Sequence, residues 1–244
     1  MGATMRDLLQ QQAFRHRVTL SEGQIEQFIA YLKLVQQWQK RAVRLVGTDT
    51  PAELVGKHVA DALSVYNCIG EWGERNVIDI GSGAGFPGLC LRLIEPRMSL
   101  SLLEASGKKV AFLRKVKAEL GLEGVRVIRG RAEELAHDRV FREVFDVATM
   151  RGVVGLARGM ELGIPYVRVG GLFVLVRGRT GAREVRIAEK VGGHLGGGQV
   201  TVYCGGVGEP PVRGSMVVVR KVERTDGRFP EPRSGLLVSS LGVD

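Results

Sequence analysis

Residues 77–88 read Val-Ile-Asp-Ile-Gly-Ser-Gly-Ala-Gly-Phe-Pro-Gly, and no other stretch limits the fold of this chain so tightly. The β-branched opening suits a buried strand. Glycine then recurs at alternate positions, Gly81, Gly83 and Gly85, where missing Cβ atoms let the backbone turn sharply and approach a ligand closely. Pro87 suits the first turn of a following helix, where its lost N–H has no partner anyway. Open α/β sheets bind ligands outside the carboxyl ends of their strands, so this strand, loop and helix mark a binding crevice.

The chain repeats that alternation after residue 76. Apolar runs at 77–80, 100–103, 125–128, 145–150, 172–176, 200–204 and 216–222 read as strands, with helical stretches at about 87–95, 107–120, 153–165 and 181–192 between them. Such alternation implies right-handed βαβ units and helices on both faces of the sheet. Residues 205–214, with Pro210 and Pro211, join the last two runs without a helix, which makes those strands antiparallel neighbours. The expected fold is α/β and Rossmann-like, a seven-stranded mostly parallel sheet with an antiparallel last strand. Ahead of it, Ile25, Phe28, Ile29, Leu32, Val35 and Trp38 recur at helical spacing over 21–42, with Ser21 and Gln24 placed for a capping box. A second helix follows Pro51 over 52–69. Residues 1–70 thus read as an N-terminal helical cap, 71–223 as the Rossmann-like domain and 224–244 as a C-terminal arm, in one compact unit.

The chain has 244 residues, 44% hydrophobic and 25% charged, the composition of a globular protein. No run approaches the ~18 apolar residues of a membrane span, and the polar, basic first 17 residues have no signal-peptide core. Cys68, Cys90 and Cys204 are scattered and the four histidines lack ligand spacing, which argues against disulfides and metal and suits a reducing cytoplasm. A monomer without membrane or metal partners is expected. The net charge of +9 favours a polyanionic partner, although it also serves solubility. Aromatic residues, at 6%, do not suggest a stacking platform for single strands.

Two cofactor classes fit the glycine loop, because Gly83, Gly85 and Gly88 also satisfy the dinucleotide fingerprint. Three features favour S-adenosylmethionine. The acid at Asp79 stands two residues before Gly81 and braces the loop. The loop follows a sizeable helical segment rather than opening the chain. Anchors also recur after the next two strands. Glu104 stands where an acidic side chain accepts ribose hydroxyls, with Ala105 and Ser106 beside the adenosine. Arg131, Ala132, Glu133 and Glu134 follow the third strand, where Ala132 and Glu133 can meet the adenine edge. Arg151, at the end of the fourth strand, can offer its planar fork of donors to a carboxylate or a phosphate. A structural glycine turn and a solvated acidic face are the bland alternatives.

Taken in order, these motifs resemble the RsmG (GidB) family, methyltransferases of guanine N7 in small-subunit (16S) ribosomal RNA. The resemblance covers roughly residues 20–235 and is most specific at Gly-Ser-Gly-Ala-Gly-Phe-Pro-Gly-Leu, then at Leu103-Glu104-Ala105-Ser106-Gly107-Lys108-Lys109 with Phe112 and Leu113. His58, Asp61 and Leu63 match the family's His-x-x-Asp-Ser-Leu, with Ala62 in place of Ser. The resemblance implies a class I methyltransferase fold and donor contacts from Gly81, Phe86, Glu104, Ala105, Ser106, Ala132, Glu133 and Arg151. It also implies a basic RNA surface from the N-terminal helices, Lys108, Lys109 and the C-terminal arm, with 16S rRNA or the small subunit as partner. Departures fall on the acceptor side. Arg44-Leu45-Val46 replaces Asn-Leu-Thr, Arg151-Gly152 replaces Arg-Ala, and Arg177-Gly178 replaces Lys-Gly. Phe229-Pro230-Glu231-Pro232-Arg233 only loosely echoes Tyr-Pro-Arg.

Guanine N7 carries a free lone pair and no proton, so its methylation needs no general base. The sequence agrees in lacking Asn/Asp-Pro-Pro-Tyr after the fourth strand and a cysteine-based nucleophile motif; Cys90 reads as core. His58 and Asp61 share a helix face and read as a tie to the domain rather than as catalysts. Arg177, Arg179, Arg183 and Arg186 stand after the fifth strand, where they can meet RNA phosphates or simply face solvent. Different RNA or small-molecule acceptors, and a non-catalytic RNA-binding assembly factor, are the alternative functions.

Overall fold

The computed structural model describes residues 3–41, 43–152, 154–178, 180–204 and 214–231. The strands are β1 (Asn76–Ile80), β2 (Ser99–Glu104), β3 (Val125–Arg129), β4 (Phe145–Arg151), β5 (Val167–Arg177), β6 (Gly197–Cys204) and β7 (Ser215–Lys221). They form one sheet in the order β3-β2-β1-β4-β5-β7-β6. Strands β1 to β5 pair in parallel, and β7 lies between β5 and β6, antiparallel to both. The expected sheet is therefore present. Strand β5 starts earlier than its apolar run suggests. Val167 pairs with Phe145, the register then shifts, and Leu172 pairs with Val147, so a bulge hides the first half of the strand from a period-2 pattern.

Alternate residues of each strand enter two separate cores, as the pleat requires. Val77, Val147, Val174, Val176, Met216 and Val218 face one side; Ile78, Ile80, Ala148, Met150, Phe173, Leu175, Val217 and Val219 face the other. The first face is covered by α1 (Met5–Arg15), α2 (Glu22–Arg41), α4 (Ala60–Ile69), α5 (Gly88–Ile94) and α6 (Gly107–Glu119). The second carries α8 (Leu156–Gly163) and α9 (Ala182–His194), with the short α7 (Ala132–Leu135) packed on α8. Between α3 (Pro51–Glu53) and α4 the chain forms a π-helical segment, Leu54–Val59, inside the stretch read as one plain helix.

Helix α2 forms as its spacing demands, burying Ile25, Phe28, Tyr31, Leu32 and Val35. Its capping box is present. The Ser21 N–H donates to Gln24 Oε1 at 2.8 Å and the Gln24 N–H to Ser21 Oγ at 3.3 Å. The Gln24 amide also donates to the carbonyls of Leu93 and Ile94, at 2.9 and 2.8 Å. One side chain therefore serves the orphan groups of two helix ends, the start of α2 and the end of α5. Helix α1 was not expected from the polar opening. Thr4 and Asp7 make its capping box, and its buried residues are only Leu9 and Ala13, too few to write a pattern. Pro87 lies one residue ahead of α5 rather than inside its first turn. Among the described residues no helix is long and apolar enough to cross a membrane.

Candidate active site

A cleft of about 670 Å³ opens at the carboxyl ends of β1, β2, β3 and β4, a volume within the range of small-molecule sites. Gly81, Ser82, Gly83, Ala84 and Phe86 form its floor, Glu104, Ala105 and Lys109 one side, and Arg131, Ala132 and Glu133 another. Met150, Arg151 and Gly152 enter from β4, Arg158 and Leu162 from α8, and Leu45 and Val46 from the segment after α2.

The loop is fixed from several directions. Gly81 and Ser82 donate their N–H groups to the Leu103 carbonyl at 2.8 and 3.0 Å, and Gly85 donates to Ser82 at 2.6 Å. Gly81, Gly83 and Gly85 adopt φ of 68°, 58° and 97°, the left-handed region that a side chain rarely enters. At Gly88 the reason for glycine is close approach. A Cβ there would lie 2.8 Å from the Cβ of Asp79.

Asp79 braces the loop from below and does not line the cleft. Its Oδ1 accepts from the Thr149 hydroxyl at 2.8 Å and its Oδ2 from the Gly88 N–H at 3.3 Å. Burial pushes its carboxyl up to about 7, against the pull of those hydrogen bonds. A folded pKa above the unfolded value adds stability that is complete below pH ~4 and is lost as pH rises through 7. Thermal melts of the wild type between pH 5 and 8 should show that loss. Asp79→Asn, which stays neutral, should flatten the decline, at a fixed penalty for losing one acceptor.

Glu104 is 8% exposed, and its carboxylate already grips the loop. The Gly83 N–H donates to Oε2 at 2.9 Å and the Ser106 N–H to Oε1 at 2.8 Å. Each oxygen keeps a further lone pair for hydroxyls in the cleft. Ser106 itself and Gly85 do not line the cleft; Ser106 stands at the N-cap position of α6 without a side-chain cap bond, and Gly85 packs on Leu89 and the Tyr31 hydroxyl. Glu133 lines it beside Ala132, whose carbonyl accepts from the Tyr166 hydroxyl at 2.7 Å.

Arg151 is held by the N-terminal helices. Its Nε donates to Asp61 Oδ2 at 3.0 Å and its Nη2 lies 2.9 Å from the same oxygen in an ion pair, with 18% and 11% of the two side chains exposed. Burial raises the Asp61 carboxyl while the guanidinium pulls it down. His58, one turn earlier, stacks on Phe86 with ring centroids 4.8 Å apart and planes at 21°. Burial and the charges of Arg151 and Lys57 lower its imidazole to about 3, so it is neutral and no acid–base group at ordinary pH. Tyr31 packs on Phe86 at 5.3 Å and donates its hydroxyl to the Ala84 carbonyl at 2.7 Å. Cys90 is buried beneath the loop and its thiol is raised by desolvation.

The expected RNA contacts separate. Lys109 lines the cleft and Lys108 is exposed beside it. Arg177 does not line the cleft and pairs with Glu184 at 2.8 Å, while Arg183 is exposed on α9. Arg179, residues 205–213 and the arm beyond residue 231 lie outside the described residues. The part of the arm within them runs up to the cleft wall. The Glu231 N–H donates to Glu161 Oε1 at 2.8 Å and Arg158 Nη1 to the Glu231 carbonyl at 3.0 Å. Leu45 and Val46 line the cleft at positions where the sequence departs from the family pattern, while Tyr31, Thr149, Arg158 and Leu162 belong to the site or its support without having been singled out for it. Their helical or strand periodicity shows burial, not which cleft the burial faces.

The family model described as "rRNA small subunit methyltransferase G", GidB, matches residues 24–209. A ribosomal RNA small subunit methyltransferase G of Moorella thermoacetica is 37% identical over 220 residues, covering 90% of each chain. The protein of the same name from Caldanaerobacter subterraneus subsp. tengcongensis is 43% identical over 173 residues, covering 71% of this chain and 72% of its own. Among solved structures, a precorrin-6y C5,15-methyltransferase from Geobacter metallireducens superposes with a TM-score of 0.51 at 15% identity, over 74% of this chain and 92% of that one. A branched-chain polyamine synthase variant from Thermus thermophilus gives a TM-score of 0.59 at 14% identity, over 85% and 68%. At such identities the likeness shows the shared fold alone.

Proposed function

The chain belongs to the rRNA small subunit methyltransferase G (GidB) family, and on that footing we propose that it transfers a methyl group from S-adenosylmethionine to N7 of a guanine in 16S rRNA, in the cytoplasm. The observation that carries this reading is the make-up of the cleft. A glycine loop and a buried carboxylate lie at the carboxyl edge of the sheet; no Cys, His, Tyr or Asp is among the described residues that line it, and its other titratable groups besides arginine, Glu133 and Lys109, stand after β3 and at the start of α6 rather than at the end of β4. Such a wall suits an acceptor that already carries a free lone pair.

Bound S-adenosylmethionine supplies an electrophilic methyl whose bond to sulfur breaks with the electron pair left on sulfur. The residues present fit its parts. Glu104 has lone pairs left for two ribose hydroxyls, Ala105 and Ala132 with Glu133 flank room for a flat adenine, and Phe86 and Arg151 lie where the amino-acid end would rest. Asp79, Gly85 and Ser106 support that site from behind its wall. The chain's part in the reaction is orientation, keeping donor and guanine in line at van der Waals contact. N7 uses its lone pair, no proton is released, and the base gains a positive charge. Asp61 suits that outcome, because it balances Arg151 so that the acceptor edge does not repel the cationic product. Lys108 and Lys109 at the mouth, with Arg183 exposed on α9, would meet RNA phosphates, whereas Arg177 is already paired with Glu184.

The test is a labelled-methyl assay on small ribosomal subunits, total RNA and protein extract, followed by mapping of 7-methylguanosine. Label in 16S rRNA at a guanine is the expected result. Label confined to protein or small molecules would refute the proposal.

A further inference from the structure

The C-terminal arm meets the cleft through a single side chain. Residues 225–231 are pinned on the second face of the sheet. Arg142 donates to the carbonyls of Thr225, Asp226 and Phe229 at 2.8, 2.9 and 2.8 Å, and His137 Nε2 donates to the Pro230 carbonyl at 2.9 Å. Phe229 itself is 1% exposed and belongs to the core on that face. Glu231 is thereby set against α8, which takes both of its backbone polar groups. Its N–H goes to Glu161 Oε1 and its carbonyl to Arg158 Nη1. The same Nη1 lies 2.9 Å from Glu161 Oε2 in an ion pair, with 15% of the arginine and 3% of the glutamate side chain exposed. Arg158 lines the cleft, and Glu161 stands behind it. Among the described residues no hydrogen bond engages Arg158 Nε or Nη2.

A guanidinium held this way is flat, fixed and already balanced in charge. It offers the cleft a π surface and two spare N–H donors, but little net field for a phosphate. The ligand that fits it is a neutral heteroaromatic ring with nitrogen acceptors. Leu162, one turn on from Arg158, lines the cleft beside it, and α8 packs on α7, which carries Ala132 and Glu133. The α8 wall therefore faces the room read as the adenine site. We propose that Arg158 is a specificity-determining residue of methyl-donor binding that covers the adenine end of S-adenosylmethionine. Glu161 and the arm residue Glu231 are positioning residues that hold it there. The place of the arm and the affinity for the methyl donor are then linked, and the link acts in both directions. This rests on the methyl-transfer reading of the cleft and adds a contact that ties the bound nucleoside to the C-terminal arm.

The experiment titrates the full chain with S-adenosylhomocysteine and, separately, with adenosine by calorimetry, and follows hydrogen exchange in the arm. Arg158→Leu is expected to weaken S-adenosylhomocysteine binding about tenfold, the scale of one cation–π contact away from water. Adenosine, which lacks the amino-acid end, should lose the same factor. Arg158→Leu by itself leaves the Glu161 carboxylate buried and unpaired. Combining it with Glu161→Gln removes both charges and keeps an acceptor for the Glu231 N–H, so the double variant should show the same loss in a stably folded protein. Arg158→Lys keeps the charge without the plane and should recover little affinity. In the wild type, saturating S-adenosylhomocysteine should slow exchange of the Glu231 N–H, and the double variant should lose that response. The proposal is overturned if the double variant binds both ligands as the wild type does, if Arg158→Lys restores full affinity, or if exchange at Glu231 in the wild type ignores the ligand. A loss for S-adenosylhomocysteine without one for adenosine would also overturn it, since Arg158 would then meet the carboxylate. Failure of the wild type to bind S-adenosylhomocysteine at all would instead sink the methyl-donor reading of the cleft, and this inference with it.

Discussion

Glu104→Ala is expected to weaken S-adenosylhomocysteine binding by about a hundredfold or more, at little change in helix content. The carboxylate has two tasks. It accepts the N–H groups of Gly83 and Ser106, which fixes the glycine loop against the start of α6. Its remaining lone pairs are the acceptors available for a pair of ribose hydroxyls, and hydrogen bonds to a charged group contribute about 1.5–3 kcal/mol each. Loss of both hydroxyl contacts, together with a loosened loop, gives the hundredfold figure. Glu104→Gln keeps one acceptor oxygen but sets an NH2 group against a backbone donor, so it should fall between wild type and alanine. Calorimetric titration of the three proteins checks the order.

Arg151→Ala should lower methyl transfer by about a hundredfold, the scale of removing one oriented charged donor from a reaction site. It should also destabilise the protein, because Asp61 is left with a largely buried carboxylate and no partner. Breaking a fully buried pair costs about 3–5 kcal/mol. With 18% and 11% of the side chains exposed, water relieves part of this, and about 2–3 kcal/mol is the expected loss. Asp61→Ala alone strands the guanidinium instead, which the open cleft hydrates more readily, so its penalty is smaller. The double variant should recover much of the stability and none of the activity. Urea denaturation of the four proteins gives the coupling energy. A pair that merely ties two segments together would leave activity intact in the double variant.

The sheet and the donor edge of the cleft were legible in the sequence because their signals are local. A strand, a glycine loop and a helix start stand within a dozen residues, Glu104 sits directly after an apolar run, and Glu133 follows the next run by five residues. The opposite wall was not legible as such. Tyr31, Leu45 and Val46 arrive from far along the chain, and nothing in their spacing says that they meet Phe86 or the cleft. His58 and Asp61 were readable as a tie between helix and domain. The structure adds their objects, the Phe86 ring and the Arg151 guanidinium. The π-helical turn was hidden because its residues are equally compatible with an α-helix, and the start of β5 because a bulge breaks the alternation. Among the expected cations the sequence could not separate Lys109, which lines the cleft, from Arg177, whose charge Glu184 balances.

A crystal structure of the protein soaked with S-adenosylhomocysteine tests the central claim most directly. Both ribose hydroxyls should bond to Glu104, with the adenine between Ala105 and Ala132 and the amino-acid end toward Phe86 and Arg151. Density for the compound anywhere else, or a ribose that leaves Glu104 bound only to Gly83 and Ser106, would contradict it.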